Sequence, residues 1–588
     1  MRIGVLVVQG SIRPDFDLSP LKLVGLLNGM FSLVKYGLSR CHGGFGTQWS
    51  RCNEGDFSSA TARLSFSKPY NGTIPIEDHA DDVVSELSTI LTSGRLGAES
   101  KQMIKEAYIT KLNNTDSNDP AGSALRVALQ YLLTTPEFHT TNIVDKKGSL
   151  REKPEPPQSS GTPYKAIVYV MLAGGCDSFN MLVPHTCTAG EKDMYNDEYF
   201  EIRQEIALEK DSLNVLNGPI GNQVCETFGV HPQLESVQTL FNDGDLLFFA
   251  NTGVLTKETD KENYRKDTET RLFAHNFMQQ AVQKVDPLKT EDGTGVLGRM
   301  RDVLAKRGLN VGAFSISGNS ISLIGEPGVA ASPMTLNHNG VTQFNSDPST
   351  ANMNTTIAYL NGESEPESGV FAELFSDVLL ESLSHNQLLH DTLVDKMTNV
   401  VFPTSHLGRQ LEMVAKMIDS RDARGADADM FYVSTGGWDT HSQVLRNQQR
   451  LFANVDSSFK AFADEMIAKN VWDSVTLIET SDFGRTLTQN GGMGSDHAWG
   501  GNYIMMGGSV NGGQIIGTYP EALKEGSPLN IGRGRIIPTT SWEAVFLPLA
   551  EWAGIEEADF DYICPNRDNF PESHFFNTTD LFHVTSPV

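Results

Sequence analysis

Four short stretches of this chain set acidic or imidazole side chains beside glycines: GGCDSFN (Gly174–Asn180), GGWDTH (Gly436–His441), SDFGRT (Ser481–Thr486) and GSDHAWGG (Gly494–Gly501). They supply Asp177 and Asn180, Asp439 and His441, Asp482 and Arg485, and Asp496 with His497. Carboxylates brought to one spot repel one another, and their pKa values rise unless something positive neutralises them. One or two divalent cations would do so, and a mixed Asp/His set suits zinc, manganese or iron. A metal pair can hold both the attacking and the leaving oxygen of a phosphate or sulfate ester, and Arg485 could grip the anion's remaining oxygens. Each residue also has a plainer reading. Asp177 could cap a helix, His441 could be a packed histidine, and Arg485 could simply pair with a neighbouring carboxylate. The joint pattern favours a metal site.

The elements that must position these residues are legible as short apolar runs. AIVYVML (Ala166–Leu172), LLFFA (Leu246–Ala250), AFSIS (Ala313–Ser317), MFYVS (Met430–Ser434) and VTLIE (Val475–Glu479) are near-continuous, as strands buried on both faces are. LGRQLEMVAKMI, with Leu407, Leu411, Val414, Ala415 and Ile418 on one face, predicts an amphipathic helix between two of them. The expectation is a three-layer α/β/α sandwich with a mostly parallel sheet over 164–588, and its ligands would bind beyond the carboxyl ends of the strands. The acidic stretches follow those ends. The glycine clusters GGQIIG and MMGGSVNGG lack the strand-to-helix setting of a nucleotide loop.

Upstream, periodic apolar residues (Val83, Leu87, Ile90, Leu91; then Leu125, Val127, Leu129, Leu132) predict a small helical region over 56–144, with Gly94 and Gly97 as stops. Asp145–Pro163 is polar and Pro-rich and reads as a linker. Residues 1–55 show no period and read as poorly structured or a mispredicted start. Segment Asn337–Asn361 reads as an inserted surface region.

The chain has 588 residues and a formal charge of −27, from 46 basic and 73 acidic side chains. With no basic stripe, a nucleic-acid partner is not expected. Hydrophobic content of 39% indicates a globular protein. No run approaches the ~20 apolar residues of a membrane span, and the first residues make no convincing secretory signal. Sequons at Asn71, Asn113, Asn354 and Asn577 permit secretion, and six cysteines form no CxxC pair, so compartment and disulfides stay open.

In order, GGCDSFN, GGWDTH, SDFGRT, GSDHAWGG, GGSVNGG and GRGRIIPTTSWE resemble the family known as domain of unknown function 1501, over Lys165 to Gly554. That family is placed in the alkaline phosphatase superfamily, beside sulfatases and metal-dependent phosphomutases. The helical stretch ending ALQYLLTTPEFHTTN resembles the tail of a second family, domain of unknown function 1800. The first resemblance implies an alkaline phosphatase-like fold and a metal-dependent ester hydrolase whose zinc, manganese or calcium ions number one or two. Its substrate would be a small anionic ester or a sulfated or phosphorylated polymer. It implies Asp177 and Asp482 on one metal and Asp439, His441 and His497 on the other, with Asp496 a neighbour. Where the superfamily has Asp-His this chain reads Asp482-Phe483, so one ligand is missing or moved, and Asp496 or Asn180 would fill in. Relatives read LFSHN at the nucleophile, whereas this chain reads LFAHN, with Ala274 before His275. Thr268 or Thr270 could replace that hydroxyl only after a loop rearrangement. His275 is then a candidate acid, base or ligand, or a structural helix-cap histidine. The alternative function is a non-catalytic binding or surface-assembly module.

Overall fold

The computed structural model describes residues 20–36, 70–114, 119–152, 158–187, 192–218, 220–221, 223–268, 271–289, 293–341, 343–344 and 352–583. The chain divides into two compact units, one of Met1–Glu155 with Val341–Asp391, the other of Pro156–Gly340 with Thr392–Val588.

The larger unit is built on a nine-stranded sheet. Its strands are β1 (Lys165–Leu172), β5 (Leu246–Gly253), β6 (Val311–Ser315), β7 (Met334–Thr335), β8 (Ala428–Thr435), β9 (Val475–Ser481), β10 (Gly501–Met506), β11 (Ile515–Gly517) and β12 (Thr540–Ser541). A separate antiparallel sheet joins β2 (Leu182–Thr186), β4 (Thr227–Val230) and β3 (Asn214–Val215). In the large sheet the order is β11-β5-β10-β9-β1-β8-β6-β7, with β12 beside β5. Only β10 runs antiparallel to its neighbours. β1 is buried along nearly its whole length, the pattern of a central parallel strand covered on both faces. On one face Ile167, Tyr169 and Met171 pack with Val282, Met300 and Phe546, from helices His275–Lys284, Val296–Lys306 and Trp542–Trp552. On the other lie helices His406–Asp419 and Val444–Ala468, whose Leu411, Val414, Phe452 and Phe459 are fully buried. The result is an α/β/α sandwich. Because β9, β1 and β8 are adjacent, the loops after Ser481, Leu172 and Thr435 open side by side at one sheet edge.

The smaller unit has helices Pro20–Tyr36, Ile76–Thr92, Ala98–Leu112 and Pro120–Leu132 around a core of Leu27, Val83, Ile104, Leu125 and Leu129. Four expectations need revising here. Pro20–Tyr36 is a helix whose Leu23, Leu27 and Phe31 enter this core, within the stretch read as unstructured; residues 1–19 and 37–55 lie outside the described ones. Helix Met353–Leu360, read as part of a surface insertion, buries Met353, Ile357 and Leu360 in the same core, as does Phe375 from helix Val370–Leu393. The α/β unit is therefore interrupted rather than continuous. The described parts of the expected linker are tied down: Arg151 pairs with Glu373 and Asp377, and Ser159 and Ser160 donate to Asp427. Ile90, placed on the apolar face, is exposed.

Candidate metal centre

Backbone economy brings the site together. Gly174 (φ +124°) and Gly175 (φ +83°) turn the chain after β1, and a Cβ at either position would fall within 2.6 Å of the Asp439 amide or the Phe483 ring. Only glycine allows those approaches. The SDFGRT and SDHAWG segments, which follow β9, zip together locally: Gly484 and Ala498 exchange backbone bonds with Trp499 and Gly484, and Thr486 donates to Asp496. That ribbon sets Arg485 opposite His497.

At its mouth, Asp439, His441, His497 and His275 meet. His441 Nε2 lies 3.0 Å from Asp439 Oδ1 and 3.0 Å from His497 Nε2. His497 Nε2 lies 3.2 Å from Asp439 Oδ1. His275 Nε2 lies 3.1 Å from His497 Nε2 and 3.6 Å from Asp439 Oδ2. The four come from the β8 loop, the β9–β10 loop and the start of helix His275–Lys284.

The other nitrogen of each ring explains the orientation. His497 Nδ1 donates to the Phe273 carbonyl at 2.7 Å, which can only accept. His441 Nδ1 donates to Asp496 Oδ1 at 2.9 Å, and His275 Nδ1 to Asp482 Oδ2 at 2.6 Å. With the proton on Nδ1, a ring that carries no second proton presents a lone pair at Nε2. Three Nε2 atoms and the Asp439 carboxylate are therefore turned toward one another, with contacts of 3.0–3.6 Å. Such an arrangement is repulsive until a cation or proton sits among them. Imidazoles oriented by carboxylate and carbonyl acceptors at the far nitrogen are the hallmark of metal-ligating histidines. Among the described residues, His275, Asp439 and His497 have the mutual spacing for one ion, and His441 lies within reach of the last two.

The electrostatics agree. Burial pushes the Asp439 carboxyl up, but the Arg485 hydrogen bond and charge outweigh it and hold it below the usual carboxylate range. At Asp496 burial is likewise outweighed, by donation from Asn490, Arg533 and His441, and the carboxyl stays ionised into strong acid. Burial lowers the His497 imidazole, helped by Arg485 and His275, against the pull of the Phe273 carbonyl and Asp439, which keeps it neutral and able to ligate.

The remaining expected site residues stand behind this cluster. Asp482 is fully buried; it accepts from Gly174 N, His275 Nδ1 and Gln279 Nε2. Asp496 braces His441. Asp177 accepts from Arg203 at 2.7 Å and from Ser495 at 2.9 Å. Arg485, expected to grip an anion, is fully buried: its Nη1 donates to Asp439 (2.6 Å) and Gly174, and its Nη2 to the Ser495 carbonyl. Asn180 bridges Tyr199 and Gln448 inside the fold. Ala274 is the N-cap of helix His275–Lys284, with no side-chain cap, and Phe273 before it sits at φ +69°, a strained value for a bulky residue. Thr268 is the C-cap of the short helix Tyr264–Asp267, and Thr270 lies outside the described residues. Sequence reasoning missed Gln279, although it lies four residues after His275 on the same helical face. It also missed Arg203, which carries no local signal at all.

A mostly parallel α/β/α sandwich with a histidine-rich, carboxylate-braced cluster at its strand ends is thus the class of protein that the fold and site define. The chain belongs to the family described as "Protein of unknown function (DUF1501)", which matches residues 164–527. No curated protein matches it. Among solved structures it is similar to the lipoteichoic acid synthase LtaP from Listeria monocytogenes (10% identity, 66% of this chain and 78% of that one, TM-score 0.27). It is also similar to the PsFucS1 sulfatase from Pseudoalteromonas sp. (10% identity, 70% of each chain, TM-score 0.26). At TM-scores this low, nothing about the site or its chemistry follows from these likenesses.

Proposed function

We propose that the protein is a metal-dependent hydrolase of phosphate or sulfate esters. The observation that carries this reading is the convergence of three imidazole Nε2 atoms on Asp439, at 3.0, 3.2 and 3.6 Å. Asp439, His441, His497 and His275 would hold the ion, and an imidazole-rich set favours zinc or another transition metal over calcium. Such an ion supplies a Lewis acid that polarises an ester oxygen and lowers the pKa of water.

The chain's own residues do the rest. Asp482, Asp496 and the Phe273 carbonyl fix the three rings, and Arg485 holds the Asp439 carboxylate ionised. Arg535 donates through Nε to the His497 carbonyl and lies over the Phe273 ring. Its Nη groups have no partner among the described residues, and they are the donors proposed to receive the substrate's anionic oxygens in place of the buried Arg485. The alanine at the helix N-cap offers no hydroxyl for a covalent intermediate, and the proposed nucleophile is water.

Assays with aryl phosphates, phosphodiesters and aryl sulfates, with added zinc or manganese, test this. Turnover is expected to require metal and to fall at least ~100-fold in Asp439→Asn, a change that removes a ligand. Metal-loaded protein that turns over none of these substrates would favour the second reading, a binding or surface-assembly module, to which Ala274 is the structural pointer.

A further inference from the structure

Behind the cluster, the chain takes unusual trouble to bury one arginine. A π-helical turn, Met194–Phe200, runs into a single helical turn, Glu201–Arg203, and then into Gln204, whose φ of 50° and ψ of −117° are strained for a side-chain-bearing residue. This path delivers Arg203 to a fully buried position with its Nη2 2.7 Å from Asp177 Oδ2, both side chains having no exposure at all. Strain of this kind persists where the surroundings demand it, and here they demand a guanidinium on Asp177.

We infer that Arg203 stands where a second cation would otherwise sit, so that the centre takes one metal ion, not two. This rests on the metal-centre reading above. The acidic residues of the strand ends split into two sets. The outer set, Asp439 with its imidazoles, presents bare lone pairs. In the inner set, Asp177 is neutralised by Arg203 and held by Ser495 Oγ, while Asp482 spends its oxygens on three N–H donors. Phe483 follows Asp482 and offers no ligand; its ring, 2% exposed, packs against His275 and His497 with centroids 5.0 and 4.9 Å away. A second buried guanidinium, Arg485, reaches the same Ser495 through its carbonyl. A divalent ion on the inner set would have to compete with the Arg203 guanidinium for Asp177, in a low-dielectric interior where that fixed charge is felt strongly. Asp177 Oδ1 and Arg203 Nε and Nη1 lack protein partners among the described residues.

The experiment is elemental analysis of the full-length protein, stripped and reloaded with zinc alone or manganese alone. One ion per chain is expected; two per chain would overturn the inference while leaving the metal-centre reading intact, and none would overturn both. The double variant Asp177→Asn/Arg203→Gln removes both charges of the pair and keeps hydrogen-bonding groups, which avoids the folding cost of a lone buried charge. Folded by circular dichroism, it is expected to retain one ion with affinity within about threefold of the parent. A folded double variant that loses the ion would make Asp177 a ligand and sink the proposal. Should the double variant not fold, the parent's stoichiometry still decides between one ion and two.

Discussion

Asp496 and Asp482 touch no shared point with the lone pairs, yet each holds the far nitrogen of a ring that does. Their replacement should therefore weaken metal binding without abolishing it. For Asp482→Asn and Asp496→Asn a drop of about 10–100-fold in metal affinity is expected, by calorimetric titration of stripped protein; affinities equal to the parent's would mean that the rings need no bracing. At this scale much of the cluster was legible in the sequence. Asp439, His441 and His497 stand in glycine-flanked motifs, and His275 was noticed as a candidate of open role. What could not be read was which partner each carboxylate faces. A motif places an acid at a strand end, but whether its counter-charge is an ion or a guanidinium depends on a residue such as Arg203, which reaches Asp177 from 26 positions away.

Elements carry their own consequences. Helix His275–Lys284 begins at an uncapped alanine, so Ala274→Ser restores a hydroxyl able to accept from a first-turn N–H. That change is expected to raise stability by about 1 kcal/mol, seen as a higher melting temperature; an unchanged or lower melting temperature would show that the strained Phe273 turn cannot accommodate the cap. In β9, Glu479 is fully buried, and among the described residues its carboxyl accepts only from Ile504 N. Burial pushes it from an ordinary 4.5 up to about 8. Its folded pKa lies above the unfolded one, so its contribution to stability is whole below about 4.5 and is lost as pH rises through 8. Glu479→Gln, neutral at every pH, should therefore lose less melting temperature between pH 5 and pH 9 than the parent; equal losses would show that Glu479 does not govern this window. Long central strands and the amphipathic helix His406–Asp419 were readable from apolar runs and period. The two- and three-residue strands β3, β7, β11 and β12 were not, because pairing rather than local pattern creates them.

Across the whole molecule, two features lay beyond sequence pattern. The helices of Val341–Asp391 belong with the N-terminal helical core although they interrupt the α/β unit, a pairing set by burial of Ile357 and Phe375 and not by chain order. Cys187 and Cys225 form a disulfide across a separation of 38 residues, while Cys176 and Cys564 are buried and free, and Cys41 and Cys52 lie outside the described residues. Such a bond suits an oxidising compartment. The fold's principal task, on this account, is to carry three distant segments to one point where their bare nitrogens and a carboxylate await a cation. Anomalous diffraction from crystals loaded with zinc measures that directly. The account expects a peak at about 2.0–2.2 Å from ligand atoms of Asp439, His275, His441 and His497; no peak there, or one seated instead on Asp177, would contradict it.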